Sequence, residues 1–300
     1  MSSAEFLIWL ERFRSPFTDA TFIGASGLGS TEAYMVLLTG IYLCVGHHFG
    51  FRLMLMFLLS AYSNALLKIA FHTKRPFHIE GHPFHPLSEA SAAGYSFPSG
   101  HAQNAAVVWS LIAIRQKSWR VRAPILLLIA LIGLSRLYCE VHWPVDVVGG
   151  LLIGAVLVVV YLTMLGWWHS RGKRLSGGQW AVVVVGVAGL MYLVGYRDEV
   201  CRQCVGALLG SGLGYLLLDA RGFKAAAPLM TQVLKVAIAL LVLLALQRGG
   251  ESLLGDAHWA AALTYALIGF TAAYLLPVFF SQFPVWRQCI SGRQFWGHHT

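Results

Sequence analysis

Long apolar runs separated by short polar turns make up most of the chain, at a spacing that suits helices crossing a membrane. Such a helix needs about 20 residues, with about 17 as the usual lower limit. Nine runs are candidates, at residues 31–46, 51–71, 101–114, 123–138, 145–167, 180–196, 205–218, 230–247 and 259–280. The runs at 101–114 and 123–138 are short and border polar residues, so we expect their ends to lie below the membrane surface against protein. The pattern predicts an all-α polytopic membrane bundle of about nine spans.

Residues 1–30 follow a different pattern. Phe6, Trp9 and Phe13 alternate with charged positions such as Glu5 and Glu11. This predicts a short amphipathic helix lying in the membrane interface. A basic start followed by an apolar core is absent, so we expect no cleavable signal peptide.

The composition supports a membrane protein, because 57% of the residues are hydrophobic, 12% are charged and the mean hydropathy is +0.64. The net charge of +9 could indicate a nucleic-acid partner. The basic residues, however, form short clusters between apolar runs rather than one solvated face, so we expect no nucleic-acid binding.

Two basic clusters predict the orientation, since Lys and Arg collect in short cytoplasmic loops. The clusters are Arg115, Lys117, Arg120 and Arg122, and then Arg171, Lys173 and Arg174. They fall on one side if the span count is correct, and the polar islands described next then fall on the outer face. Binding of anionic lipid headgroups is the alternative role for the clusters.

The first polar island contains Lys68 and Arg75, followed by Pro76. Seven residues are about two helical turns, so both cations could reach one point. An ammonium and a guanidinium are the groups best suited to a phosphate dianion. Alternatively, Lys68 snorkels to the surface and Arg75 solvates a loop.

The second island is Pro98, Ser99, Gly100 and His101, directly before an apolar helix. Free backbone N–H groups, the positive end of the helix dipole and the Ser99 hydroxyl could all bind a phosphoryl oxygen. Gly100 permits close backbone approach. The alternative is an ordinary serine-capped helix with an incidental histidine.

The third island joins Ser135 and Arg136 to His142 and Asp146 across a turn. If Pro144 opens the next helix, Asp146 lies in its first turn and can hydrogen-bond one ring nitrogen of His142. The other nitrogen would then be free to attack. A single His-x-x-x-Asp is common, so this pair alone is weak evidence.

Taken together, the order and spacing of these islands resemble the three motifs of the type 2 phosphatidic acid phosphatase superfamily. The resemblance covers about residues 51–167. It implies a catalytic membrane core, at residues 31–170, in which His142 attacks phosphorus to give a phosphohistidine and is oriented by Asp146. His101 would protonate the leaving oxygen and later activate water. The phosphoryl oxygens would be bound by Lys68, Arg75, Ser99, Gly100 and Arg136, with no metal ion and no cofactor.

The implied substrate is a membrane lipid phosphate or diphosphate, hydrolysed at the outer face of a bacterial inner membrane. Undecaprenyl diphosphate, phosphatidic acid and phosphatidylglycerophosphate all suit the motifs. A phosphotransferase would use the same intermediate with an acceptor hydroxyl in place of water. A lipid-binding or transport protein without turnover is the alternative from another class.

Two features near the motifs depart from the family as we expect it. Glu140 lies two residues before His142, where it could raise the histidine pKa or repel a dianion, unless it faces solvent. The loop between His72 and Tyr95 is rich in histidine, but its spacing matches no tight metal-ligand pattern.

Residues 171–300 predict additional transmembrane helices of unknown role. Gly206, Gly210 and Gly214 form a close-packing stripe, for which we favour packing within the monomer over a homodimer. Cys201 and Cys204 lie on the outward turn, and whether they form a disulfide stays open.

Overall fold

Helices account for all the regular structure of the described chain. A computed structural model describes residues 2–81, 83–87, 94–172, 175–221, 228–255 and 257–283. The helices are α1 (Ser3–Glu11), α2 (Pro16–Gly27), α3 (Thr31–Gly40), α4 (His47–Phe71), α5 (Gly100–Ile114), α6 (Trp119–Tyr138), α7 (Pro144–Ser170), α8 (Gly177–Gly195), α9 (Glu199–Asp219), α10 (Leu229–Leu254), α11 (Ala260–Phe270) and α12 (Leu276–Gln282). Wide helical turns at Ile41–Val45 and Thr271–Leu275 extend α3 and join α11 to α12. The prediction of an all-α bundle is confirmed.

Seven helical segments in the described part of the chain are long and apolar enough to cross a membrane. An eighth crossing is added if α2 and α3, which meet at a 56° bend, act as one broken span. Helix α5 has 15 residues and falls below that length. The predicted count of nine is reached only if α5 also crosses the membrane as a short pass.

The three polar islands lie at the ends of α4, α5, α6 and α7. Side chains of α4 and α5 form the largest buried cluster together with α3, α8 and α9. Gly150 and Gly154 let α7 approach α5 closely: a Cβ on Gly150 would lie 2.5 Å from the Ser99 carbonyl oxygen, and one on Gly154 2.7 Å from that of Gln103. The start of α5 is therefore fixed by direct contact with α7.

The N-terminal helices pack on α6. Leu7 of α1 is fully buried in a cluster with Phe84, Leu137 and Val147. In α2, Asp19 accepts a 2.6 Å hydrogen bond from the Tyr138 hydroxyl at the end of α6. Residues 1–30 thus contribute protein contacts beside the motif-bearing loops.

Helix α9 is central to the C-terminal region and packs against α4, α8 and α11. A Cβ on Gly206 or Gly210 would collide with the carbonyl oxygens of Ala262 and Ala266 in α11. The glycine stripe is therefore covered within the monomer, as we favoured, and a dimer through it would have to displace α11. Cys201 and Cys204 are buried free thiols in the first turns of α9.

Candidate active site

The three polar islands meet at one end of the bundle, where α4 and α6 end and α5 and α7 begin. At the opposite end, the Arg115 guanidinium lies 4.3 Å from the centre of the Phe49 ring, near the start of α4. The basic residues after α5 are therefore far from the islands, as expected if the two groups lie on opposite sides of the membrane. Lys173 and Arg174 of the second cluster lie outside the described residues.

His142 and Asp146 form the expected pair. Pro144 opens α7, so Asp146 lies in the first turn and its Oδ2 is 3.3 Å from His142 Nδ1. The same oxygen accepts a 2.8 Å bond from the Trp143 N–H and a very short one from the Ser96 hydroxyl. With three donor groups around it, the carboxylate oxygen is fixed in position beside His142.

Arg75 joins the first island directly to the nucleophile candidate. Its Nη1 lies 3.2 Å from His142 Nε2 and donates a 2.8 Å bond to the Val141 carbonyl oxygen. Its Nε donates to the Gly94 carbonyl oxygen at 2.9 Å. The guanidinium is thereby held against Nε2, the ring nitrogen of His142 that would attack phosphorus.

The start of α5 lies beside this pair and offers unused polar groups. The Ser99 N–H donates to the Asp146 carbonyl oxygen at 3.0 Å, which ties α5 to α7. Ser99 Oγ and His101 Nε2 are buried and have no hydrogen-bond partner among the described residues. Because orphaned buried polar atoms are costly, these two indicate a place for a polar ligand.

A buried polar network positions the α5 start. Asn64 donates through Nδ2 to the Pro98 carbonyl oxygen at 3.2 Å and to Gln103 Oε1 at 2.9 Å. Gln103 in turn donates to the Ser60 carbonyl oxygen at 2.9 Å. Because Asn64 and Lys68 are one turn apart on α4, this helix both supports the start of α5 and carries a cation of the first island.

Arg136 and Lys68 complete the positive charge. Arg136 is fully buried near the end of α6 and donates a very short bond to the Ser26 hydroxyl of α2. Burial, followed by the charges of Arg75, Arg136 and Lys68, holds the pKa of His142 well below its ordinary value. A neutral imidazole is the form that can act as a nucleophile.

Glu140 does not face solvent, which corrects one reading of the sequence. It is buried, and its Oε2 accepts a 2.8 Å bond from the His85 N–H and lies 3.1 Å from Arg14 Nη2. Arg14 also donates to the His85 carbonyl oxygen at 3.1 Å. The Glu140 carboxylate is therefore bound by the N-terminal segment, and the positive charge of Arg14 offsets its negative charge.

Sequence reasoning missed the supporting residues Ser96, Asn64 and Arg14. Each acts through the fold, bringing distant segments to the motif residues. A polar residue within the apolar α4 run, such as Asn64, was the available signal, because polar groups inside a membrane helix need a buried partner.

Two family models match the chain on either side of residue 200. Residues 49–170 match the PAP2 superfamily, and residues 202–288 match the transmembrane extension of PAP2 superfamily phosphatases. The fold described above is that of a polytopic helical membrane protein, and the side chains of its three polar islands lie together at one end. The chain is a member of the PAP2 superfamily and carries that family's C-terminal transmembrane extension.

Curated relatives carry lipid phosphatase names. Phosphatidylglycerophosphatase B of Bacillus subtilis is 29% identical over 48% of this chain and 73% of its own length. Dihydrosphingosine 1-phosphate phosphatase of Schizosaccharomyces pombe is 24% identical over 64% of this chain, and the undecaprenyl-diphosphatase of Sulfolobus acidocaldarius is 29% identical over 35%. The chain spans about half the length of these last two relatives, 48% and 50% respectively.

Two solved structures are also similar. The PAP2-type phosphatidylglycerolphosphate phosphatase of Bacillus subtilis gives a TM-score of 0.46 at 24% identity, over 58% of this chain and 87% of that one. Aquifex aeolicus LpxE gives a TM-score of 0.45 at 27% identity, over 53% of this chain and 93% of that one.

Proposed function

We propose that this protein hydrolyses a membrane lipid phosphate or diphosphate through a phosphohistidine formed on His142. The observation that carries the proposal is the arrangement of His142 between the Asp146 carboxylate and the Arg75 guanidinium, beside the unused Ser99 hydroxyl and His101 imidazole. Phosphoryl transfer needs mainly positioning and charge neutralisation, and this arrangement supplies both without a metal ion.

In the first step, His142 Nε2 attacks phosphorus while Nδ1–H stays bonded to Asp146. The N–P bond forms, the bond from phosphorus to the leaving oxygen breaks, and His101 gives that oxygen a proton. Arg75 must turn from Nε2 to a phosphoryl oxygen, which frees the lone pair for attack. Lys68, Arg136 and the first N–H groups of α5 bind the remaining oxygens.

In the second step, His101 takes a proton from water, and the hydroxide attacks the phosphohistidine. The N–P bond breaks, inorganic phosphate leaves and His142 returns to its neutral form. A dianionic phosphoryl group stabilises the protonated His101 that the first step requires, because opposite charges at close range favour the charged form.

The position of the site at one end of the bundle suits a substrate whose phosphate lies at the membrane surface. The names of the relatives point to glycerophospholipid, sphingoid and polyprenyl phosphates as substrate classes to test. We place the site on the outer face of a bacterial inner membrane, because the basic residues collect at the other end of the helices.

The test is phosphate release from phosphatidic acid, phosphatidylglycerophosphate and undecaprenyl diphosphate by purified protein. We expect His142→Ala and His101→Ala each to lose at least about a thousandfold in kcat/KM, as expected for groups that act as a unit. The control is His169→Ala, an exposed histidine at the other end of α7, which should retain full activity. Vanadate should inhibit, and a chelator should not.

Radiolabelled substrate tests the intermediate itself. An acid-labile, base-stable label should be trapped on wild type that is quenched during turnover, and should be absent from His142→Ala. Continued hydrolysis by His142→Ala would sink the mechanism. Binding of the lipid without any turnover by wild type would instead favour a binding or transport role, and label passing to an added acceptor lipid would favour a phosphotransferase.

A further inference from the structure

A cluster of metal-ligand side chains lies at the end of the bundle opposite the candidate active site. Among the described residues, one group of at least three His, Cys, Asp or Glu side chains converges closely, namely His47, His48 and Asp219. His47 and His48 open α4 and Asp219 ends α9. Lys68 lies 21 residues further along α4, so the cluster is about 30 Å from the phosphate site.

The geometry of the cluster resembles a divalent metal site with one open position. Nε2 of His47 and Nε2 of His48 each lie 3.6 Å from Asp219 Oδ1, and one ligand atom from each residue lies within 4.8 Å of the others. Two ligands held about 2.0–2.1 Å from a tetrahedral Zn²⁺ are about 3.3 Å apart. His48 and Asp219 are exposed, so small side-chain rotations can bring the three atoms to that spacing.

Neighbouring side chains orient the histidines. The Tyr215 hydroxyl lies 2.8 Å from His48 Nδ1, which turns Nε2 toward Asp219. Tyr215 is itself stacked on Phe51, with ring centres 4.1 Å apart, and His47 is buried between Tyr42 and Tyr215. A hydrogen bond to the second ring nitrogen is the usual support of a metal-bound histidine.

We propose that His47, His48 and Asp219 bind one divalent transition metal ion, for which Zn²⁺ is the best match. Two imidazoles and one carboxylate are a donor set that Zn²⁺ prefers, with water filling the fourth position. The ion would join α4 of the PAP2 core to α9 of the transmembrane extension. Its role is structural, because it lies far from the groups that handle phosphate.

Metal content tests the site independently of phosphatase activity. The full chain, purified with a tag that lacks histidine, is stripped with a chelator and titrated with Zn²⁺ in detergent. We expect one ion per chain in wild type and in the control His169→Ala, and at least tenfold weaker binding in His48→Ala and Asp219→Asn. Tyr215→Phe should weaken binding by about 10- to 100-fold, as loss of a supporting hydrogen bond does.

Cobalt and heat give two further readouts. Co²⁺ bound to wild type should give the intense visible absorption of a tetrahedral site, and Asp219→Asn should lose it. Zn²⁺ should raise the Tm of wild type but not of Asp219→Asn, because a ligand stabilises only the fold that binds it. Equal Zn²⁺ binding by wild type, His48→Ala and Asp219→Asn would place any ion elsewhere and overturn the proposal, as would no binding to wild type.

Discussion

At the scale of single residues, His142 is surrounded by more positive charge than its carboxylate neutralises. Lys68, Arg75 and Arg136 act on it against Asp146, which leaves two uncompensated positive charges when three cations are set against one anion. A phosphomonoester dianion carries the matching charge. Burial of the ring, together with this excess of positive charge, keeps the pKa of His142 low, and a low pKa favours the neutral imidazole.

Arg75→Gln should therefore change the pH dependence as well as the rate. A nearby cation lowers a histidine pKa, so its removal raises the pKa of His142. More of the imidazole is then protonated at mildly acidic pH, and we expect the acidic limb of the kcat/KM profile to move to higher pH. The magnitude of kcat/KM should also fall, by about a hundredfold or more.

The matched control for this profile is Lys74→Gln, which removes a neighbouring but exposed charge. Its acidic limb should coincide with that of wild type. If the limb of Arg75→Gln also stays in place, His142 is not the group whose titration limits the reaction.

The eight candidate site residues could be proposed from sequence because each belongs to a short motif at the edge of an apolar run. The structure places all eight at one end of the bundle. Ser96, Asn64 and Arg14 could not be assigned this way, because the sequence does not specify which segments pack together. The burial of Glu140 followed from its contact with Arg14, which is 126 residues away in the chain.

At the scale of elements, α5 has few residues and depends on α7 for its position. Gly150 and Gly154 remove the side chains that would separate the two helices. This small-residue spacing was present in the sequence but was not used there. Apolar runs predicted most helices well, whereas α2 was missed because its residues form no long apolar run; Ser15 and Thr18, which cap it, were the available signal.

Gly150→Ala should displace the start of α5. Its Cβ would meet the Ser99 carbonyl oxygen, a backbone atom that cannot turn away. Overpacking of this kind costs about 1–3 kcal/mol, so we expect a lower Tm together with a lower kcat. Thermal unfolding in detergent and phosphate release measure the two effects.

Gly166→Ala on the same helix is the comparison, because a Cβ there meets nothing within 4 Å. Alanine is the better helix former by about 1 kcal/mol, so this variant should be as stable as wild type or more so. Matching behaviour of the two variants would remove the argument that close α5–α7 contact fixes the site.

At the scale of the whole molecule, the polar islands and the basic loop after α5 lie at opposite ends of the helices. The two ends of the helices therefore meet different lipid leaflets and lie on opposite sides of the membrane potential. The sequence predicted this arrangement because alternate loops of a helical bundle fall on alternate faces. It could not predict how α9 joins the core to the extension, since that depends on which apolar faces meet.

Single cysteines on a cysteine-free background can test the orientation. Arg197→Cys lies on the exposed turn before α9, at the same end as the phosphate site, and Lys117→Cys lies on the exposed loop before α6. We expect a membrane-impermeant thiol reagent to label Arg197→Cys in intact bacteria. Lys117→Cys should react only after the cells are permeabilised, and the reverse pattern would put the site on the inner face.

The contact between Arg75 and His142 Nε2 has a consequence for life inside a bilayer. Most phospholipids of a bilayer are phosphodiesters, whose phosphate carries a single negative charge. Such a headgroup competes weakly for the Arg75 guanidinium, which already contacts His142 and Val141. If His142 is the nucleophile, as we propose, a terminal phosphate with two negative charges should bind Arg75 more strongly and so free the Nε2 lone pair of His142. We therefore expect the charge of a lipid phosphate to decide whether it reacts, before the shape of the lipid does.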